Sequence, residues 1–154
     1  MRHKKNTVKL GRPAEARKAL MMSMVGNLIE EQRIKTTLPK ARLTRALAEK
    51  MVTVAKRAIA SGKPEQMLLG KRKVLAFLRH RKPMLKLFDT IAPQYKDRLG
   101  GYTRITKVGR RGSDSSEMAI LEWVDLAFVK KGRQAKKDVS AKDEPVTGES
   151  PKES

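Results

Sequence analysis

Arg33-Ile34-Lys35-Thr36-Thr37-Leu38-Pro39-Lys40 is the stretch on which the fold turns. Its first five residues are short, rich in β-branched side chains and alternate between charged or polar and apolar, the pattern of a half-buried strand. Thr37 then stands where a helix N-cap is expected, and Pro39 falls in the first helical turn, where its missing N–H costs nothing. A strand therefore runs straight into a helix with no loop between them.

Working outward from this junction, helical spacing dominates. Residues 13–31 predict an amphipathic helix, with Pro13 in its first turn and Leu20, Met21, Met24, Val25, Leu28 and Ile29 recurring at three- and four-residue intervals. The methionines in this stripe are read as core filler, since Met adapts to irregular gaps. The helix entered at Thr37 carries Leu43, Leu47, Met51, Val54 and Ala58 on its expected apolar face and ends near Gly62. Residues 65–81 and 83–91 predict two more helices, divided at Pro83 because the residue before a proline resists helical geometry. Val74, Phe77 and Leu78 are the inward residues of the first, and Leu85, Leu87 and Phe88 those of the second.

Residues 102–108 and 118–124 are strand-like. The polar loop of residues 109–117 between them predicts a hairpin, which with Arg33 to Thr37 gives a small three-stranded sheet. The expected architecture is α+β: helix, strand, three helices, two strands, with the sheet packed against the helices. No internal repeat of 20 to 50 residues is present. The expected organisation is a basic arm over residues 1–12, a globular domain over 13–131, and a disordered acidic tail over 132–154.

Charge is the strongest functional signal. The 154 residues hold 36 Lys and Arg against 16 Asp and Glu, a formal net charge of +20. It is unevenly placed. Residues 138–154 carry five acids and two bases, so the rest of the chain carries +23. The tail has only Val139 and Val146 as large aliphatics, too little apolar surface to offset the entropy of ordering. The bases cluster almost free of acids in residues 2–12, 71–82, 96–111 and 130–137. Such clusters on one small domain repel each other unless an anion compensates them, and a nucleic-acid backbone does so with release of its condensed counterions. An anionic membrane and charge kept only for solubility are the competing readings of the same clusters.

Other classes find little support. With no cysteine there is no disulfide framework, Cys-based zinc site or cysteine nucleophile, and a reducing compartment fits. The basic start is not followed by an apolar signal-peptide region, and the longest apolar stretch, residues 19–25, is interrupted by Ser23 and falls short of the roughly 20 residues a membrane span needs. Neither secretion nor membrane insertion is expected. His3 and His80 lie in basic clusters with no neighbouring carboxylate to orient them as bases. Asp114 and Glu117 are read as turn and strand-entry residues rather than a catalytic pair. No phosphate-loop or deaminase signature occurs. No cofactor, metal, catalytic residue or small-molecule substrate is expected, and the chain is read as a non-enzyme.

Gly109-Arg110-Arg111-Gly112 has the form of a loop that clamps a nucleotide backbone between two helices, but here it lies between strands. It still offers two guanidiniums able to fork onto phosphates. Only six aromatics occur, and most are needed for the core. Tyr102, beside Gly100-Gly101, is the best candidate for a ring stacked on RNA. So few rings favour recognition of shape and phosphate over sequence readout. Duplex DNA is the main rival, as bound by a nucleoid-type protein, although the helix ending near Gly62 is long for a helix-turn-helix reader.

Several strings, in this order, resemble one family: Met1-Arg2-His3, Leu10-Gly11-Arg12, Arg17-Lys18-Ala19-Leu20, Arg33-Ile34-Lys35-Thr36-Thr37, Lys40-Ala41, Glu49-Lys50, Leu87-Phe88-Asp89-Thr90-Ile91-Ala92-Pro93, Asp97-Arg98-Leu99-Gly100-Gly101-Tyr102-Thr103-Arg104-Ile105 and Met118-Ala119-Ile120-Leu121-Glu122. Together they are similar to the bacterial large-subunit ribosomal protein seventeen family over about residues 1–125. The resemblance implies a non-enzymatic constituent of the large ribosomal subunit, bound to its ribosomal RNA beside other ribosomal proteins on the exit-tunnel side. It implies the ribosome of the bacterial cytoplasm as the location, with the plastid ribosome as the other setting. It carries over RNA contacts to Arg2, His3, Lys4, Lys5, Lys9, Arg12, Arg17, Lys18, Arg33, Lys35, Thr36, Thr37, Lys40, Arg98, Tyr102, Arg104, Arg110 and Arg111. Ala16, Ser113 and Trp123 depart from the usual pattern, and the tail beyond residue 138 has no counterpart motif.

Overall fold

A computed structural model describes residues 8–125. The arm residues Arg2, His3, Lys4 and Lys5, the last part of the expected domain, and the tail lie outside the described residues.

The strand-to-helix junction is as the sequence reads. The first helix, α1, is Ala14–Glu31, followed by β1, Arg33–Thr37, and α2, Leu38–Ala60. Pro13 caps α1 rather than entering it, and Thr37 occupies the N-cap position of α2 without a side-chain cap bond. Gln32, in the left-handed conformation, turns the chain from α1 into β1.

The face of α2 differs from expectation. Its buried stripe is Ala41, Thr44, Ala48, Met51, Val52, Ala55 and Ala58, while Leu43, Leu47 and Val54 are only half-buried. The reason is the place of α2 in the middle of the molecule. It packs against α1, the later helices and all three strands, and small residues let those neighbours approach its backbone. The buried Thr44 hydroxyl donates back to the Lys40 carbonyl at 2.9 Å, so it carries no unsatisfied donor into the core.

A third helix, α3, spans Pro64–Leu78. The break expected at Pro83 falls earlier, at Arg79 and His80. Arg79 is left-handed (φ 58°), and its N–H closes the helix on the Leu75 carbonyl at 2.8 Å. The next helix, α4, is Arg81–Lys86 and contains Pro83 in its first turn, where no helical N–H bond is lost. It runs on through a π-helical turn, Leu87–Ile91, into the short α5, Ala92–Gln94.

Strands β2, Thr103–Arg110, and β3, Glu117–Trp123, form the expected antiparallel hairpin. The sheet order is β1-β3-β2, so β3 is central and antiparallel to both neighbours. The strand β2 runs two residues further than expected, through Gly109 and Arg110, with a bulge at Val108 where Lys107 faces Ala119 and Gly109 faces Met118. The connecting loop shrinks accordingly to residues 111–116.

Alternation divides the sheet into two faces. Ala119, Leu121 and Trp123 are buried against the helices, joined by Val25, Leu28 and Ile29 of α1 and by Leu87, Phe88 and Ile91 in one core. Trp123 anchors sheet to helix, its indole N–H donating to the Leu28 carbonyl at 3.0 Å. The other face carries the charges.

Candidate nucleic-acid interface

The uncovered face of the sheet shows Arg33, Lys35 and Thr37 from β1, Met118, Ile120 and Glu122 from β3, and Arg104 and Thr106 from β2. Register places Arg33, Glu122 and Arg104 in one row across three strands. Arg104 reaches Glu122 Oε1 through Nε and Nη2, at 3.0 and 2.7 Å, and Arg33 Nε lies 3.5 Å from Oε2. In the next row Lys35 and Thr106 flank Ile120. Of the strand residues expected to touch RNA, Arg33, Lys35 and Thr37 share this face. Thr36 does not, since it lies on the helix-covered side opposite Ala119.

A second basic surface forms at the start of α1. The Arg17 guanidinium donates to the carbonyls of Arg12, at 3.2 Å, and Lys9, at 3.5 Å, tying the preceding turn to the helix. The turn is closed by the Arg12 N–H on the Lys9 carbonyl at 3.1 Å, with Leu10 and Gly11 both at positive φ. This gathers Lys9, Arg12, Arg17 and Lys18 in one place. Lys40 lies half-buried in the first turn of α2.

Two expectations need correction. Tyr102 is not an open stacking platform: it is only 3% exposed, its ring centroid 5.2 Å from that of Tyr95, with Lys56 Nζ 5.3 Å from its own centroid. Tyr102 sits just before β2, after Gly101 at positive φ (64°), and its ring packs into the core beside Tyr95 rather than following the alternation of the strand. Arg111 does not present an open fork. It pairs with Asp114 through Nε–Oδ1 at 2.9 Å and Nη2–Oδ2 at 2.5 Å, while the Ser116 N–H and hydroxyl donate to the same carboxylate. The Arg111 guanidinium, with help from Ser116, holds the Asp114 carboxyl far below the usual carboxylate range, and the pair raises Arg111 in turn. Asp114 is thus the turn residue of the hairpin, as the sequence reads. Arg110 is exposed beside it, still in β2.

Arg98 pairs with Asp125, and its carbonyl accepts from Lys56. The carboxylates that hold arginines, Glu122 and Asp125, are the residues the sequence reading missed. Nothing in the local sequence marks them, because the partners of Glu122 come from strands 18 and 89 residues away and are set by register alone. Among the described residues no three His, Cys, Asp or Glu side chains gather where they would hold a metal ion.

The sequence profile described as Ribosomal protein L17 matches residues 20–124, from within α1 to the end of the hairpin. The chain belongs to the ribosomal protein L17 family. It is 46% identical over 132 residues to the large ribosomal subunit protein bL17 of Ruegeria pomeroyi, covering 86% of this chain and 89% of the relative. The protein of the same name from Pelobacter propionicus is 43% identical over 135 residues, 88% of this chain and the full length of the relative. That of Methylacidiphilum infernorum is 42% identical over 137 residues, 89% and 98% of the two chains. L17 proteins are structural components of the ribosome, not enzymes. The sheet and its charged row fall wholly inside the L17 match, whereas the Lys9–Lys18 surface precedes it. No helix among the described residues is long and apolar enough to cross a membrane.

Proposed function

We propose that this chain is a structural constituent of the large ribosomal subunit that binds and stabilises folded large-subunit ribosomal RNA by phosphate contacts, next to other ribosomal proteins on the exit-tunnel side. The observation that carries the reading is the match to relatives named as large-subunit proteins over nearly the whole chain. The geometry supports it: one basic surface stands on the open sheet face and another on the start of α1 and the hydrogen-bonded turn before it. Among the described residues the proposed contacts are Arg33, Lys35, Thr37, Arg104, Lys9, Arg12, Arg17, Lys18, Lys40 and Arg110, with Arg98 and Arg111 reaching RNA from their ion pairs. The arm residues Arg2, His3, Lys4 and Lys5 add contacts by sequence. Phosphate contacts position the protein without reading bases, and the domain then braces RNA segments that would otherwise repel each other.

The test is to follow the native chain on sucrose gradients at low and high salt. The expected outcome is co-migration with the large subunit, lost only when salt is high enough to strip many phosphate contacts. Migration with DNA or as a light monomer, with ribosomes intact, would replace this reading by that of a nucleoid-type DNA-binding protein.

A further inference from the structure

The row Arg33–Glu122–Arg104 contains a carboxylate at the centre of a surface that, on the reading above, meets phosphate. A carboxylate there lowers the local positive potential and competes for the same guanidiniums. Its geometry points to a different role. Glu122 is the covered member, with its side chain 19% exposed, while Arg33 and Arg104 are 45% and 65% exposed. One oxygen accepts two hydrogen bonds from Arg104 and the other faces Arg33 in an ion pair at 3.5 Å, so an anion on the central strand helps to orient long cations from both edge strands. Arg104 uses only its Nε and Nη2 side for this, which leaves Nη1 outside the pair. The row keeps two cations to one anion. Held in this way, both side chains have already given up rotamer freedom that free arginines would lose on meeting a phosphate.

We infer that Glu122 is a positioning residue: it presents Arg33 and Arg104 as an ordered pair to phosphate groups of RNA lying on the open face of the sheet. The inference rests on the phosphate-contact reading of that face. Ordering and charge act with opposite sign here, so one substitution separates them. Glu122→Gln adds a unit of positive charge to the surface, and charge alone would tighten binding to a polyanion. Loss of the brace weakens it.

The experiment measures retention of protein-free large-subunit ribosomal RNA by the full chain at 0.1 M salt. The variants are Glu122→Gln, Arg33→Ala/Arg104→Ala, and the triple variant, each with its thermal melt recorded. The expected result is a 3- to 10-fold weaker affinity for Glu122→Gln, and no further loss from that change once both arginines are gone. Affinity of Glu122→Gln equal to or tighter than that of the unmodified chain overturns the inference while leaving the RNA reading intact. An equal loss in the arginine-free background overturns it as well, since the effect would then be general to the fold. A double arginine variant that binds like the unmodified chain removes the sheet face from the RNA reading, and the inference with it. The melts guard against misfolding, and a Glu122→Asp variant that recovers part of the affinity shows that the carboxylate, rather than side-chain volume, is what matters.

Discussion

Gly70 stands where α3 crosses α2, and a Cβ built on it would meet the Ala58 Cβ at 2.5 Å. That distance is below any real contact and involves two short groups fixed to helix backbones. Gly70→Ala therefore forces the helices apart. Overpacking costs about 1–3 kcal/mol, against about 1 kcal/mol gained in helix propensity, so net destabilisation of about 1 kcal/mol is expected. Gly26 lies within α1 with nothing within 4 Å of its virtual Cβ. Gly26→Ala is expected to stabilise by about 0.5–1 kcal/mol, by restricting the unfolded chain and favouring the helix. Urea unfolding of the full chain checks both, and equal signs would refute the packing argument. Nothing in the local sequence separates the two glycines, because each stands alone inside a helical run. The burial of Tyr102 is equally hidden from the local sequence. Its neighbours Gly100-Gly101 suggest an open ring, but the ring lies ahead of β2 and is buried by Tyr95, a contact that nothing in the local sequence marks.

Among the elements, those carried by local chemistry were legible. The run from Arg33 to Pro39 contains its own alternation, cap position and helix-entry proline, and β1 and the start of α2 fall where it places them. The break after α3 was not legible, since it rests on Arg79 adopting a left-handed conformation, while Pro83, the evident signal, fits a first turn without strain. The join between α5 and β3 is also invisible in sequence. Tyr95, just beyond α5, is buried beside Tyr102 and Trp123, and its hydroxyl donates to the Val124 carbonyl at the end of β3. Burial pushes its phenol up from 10.0 to about 12, the nearby Arg98 opposing and Asp125 adding to the rise. The folded state thus keeps this proton over a pH range in which the unfolded chain has lost it. Its contribution to stability is fully present below pH 10 and is lost as pH rises from 10 to about 12. Lysines titrate in the same range, so the measurement is the difference between the unmodified chain and Tyr95→Phe. The gap in unfolding free energy is expected to narrow steadily across that window, and a gap that stays constant with pH would show that the hydroxyl is not held as described.

For the molecule as a whole, the decisive quantity is how the charge is divided. Composition made a polyanion the expected partner, and the fold concentrates part of the positive charge on a rigid sheet face that no helix covers. One block of the sequence is net negative: residues 138–154 hold a net −3 on a chain of +20, so removing them leaves +23. A tethered anionic segment competes with RNA for the basic surface at high effective concentration. On the proposed reading, many phosphate contacts to a correctly shaped RNA would outweigh such competition, whereas against nonspecific RNA the margin would be small. Three surface charges at a few tenths of a kcal/mol each amount to about 1 kcal/mol, or about five-fold in affinity. Deleting residues 138–154 is therefore expected to tighten binding to a polyuridylate probe about five-fold at 0.05 M salt. The difference should disappear by about 0.5 M, where the Debye length has fallen to a few ångströms. Affinity for protein-free large-subunit ribosomal RNA should change less than affinity for the probe, so the tail would act on discrimination more than on strength. Equal affinities of the full and shortened chains for the probe at low salt would mean that the acidic block does not compete for the basic surface, and any preference for ribosomal RNA over the probe would then have to come from residues 1–137.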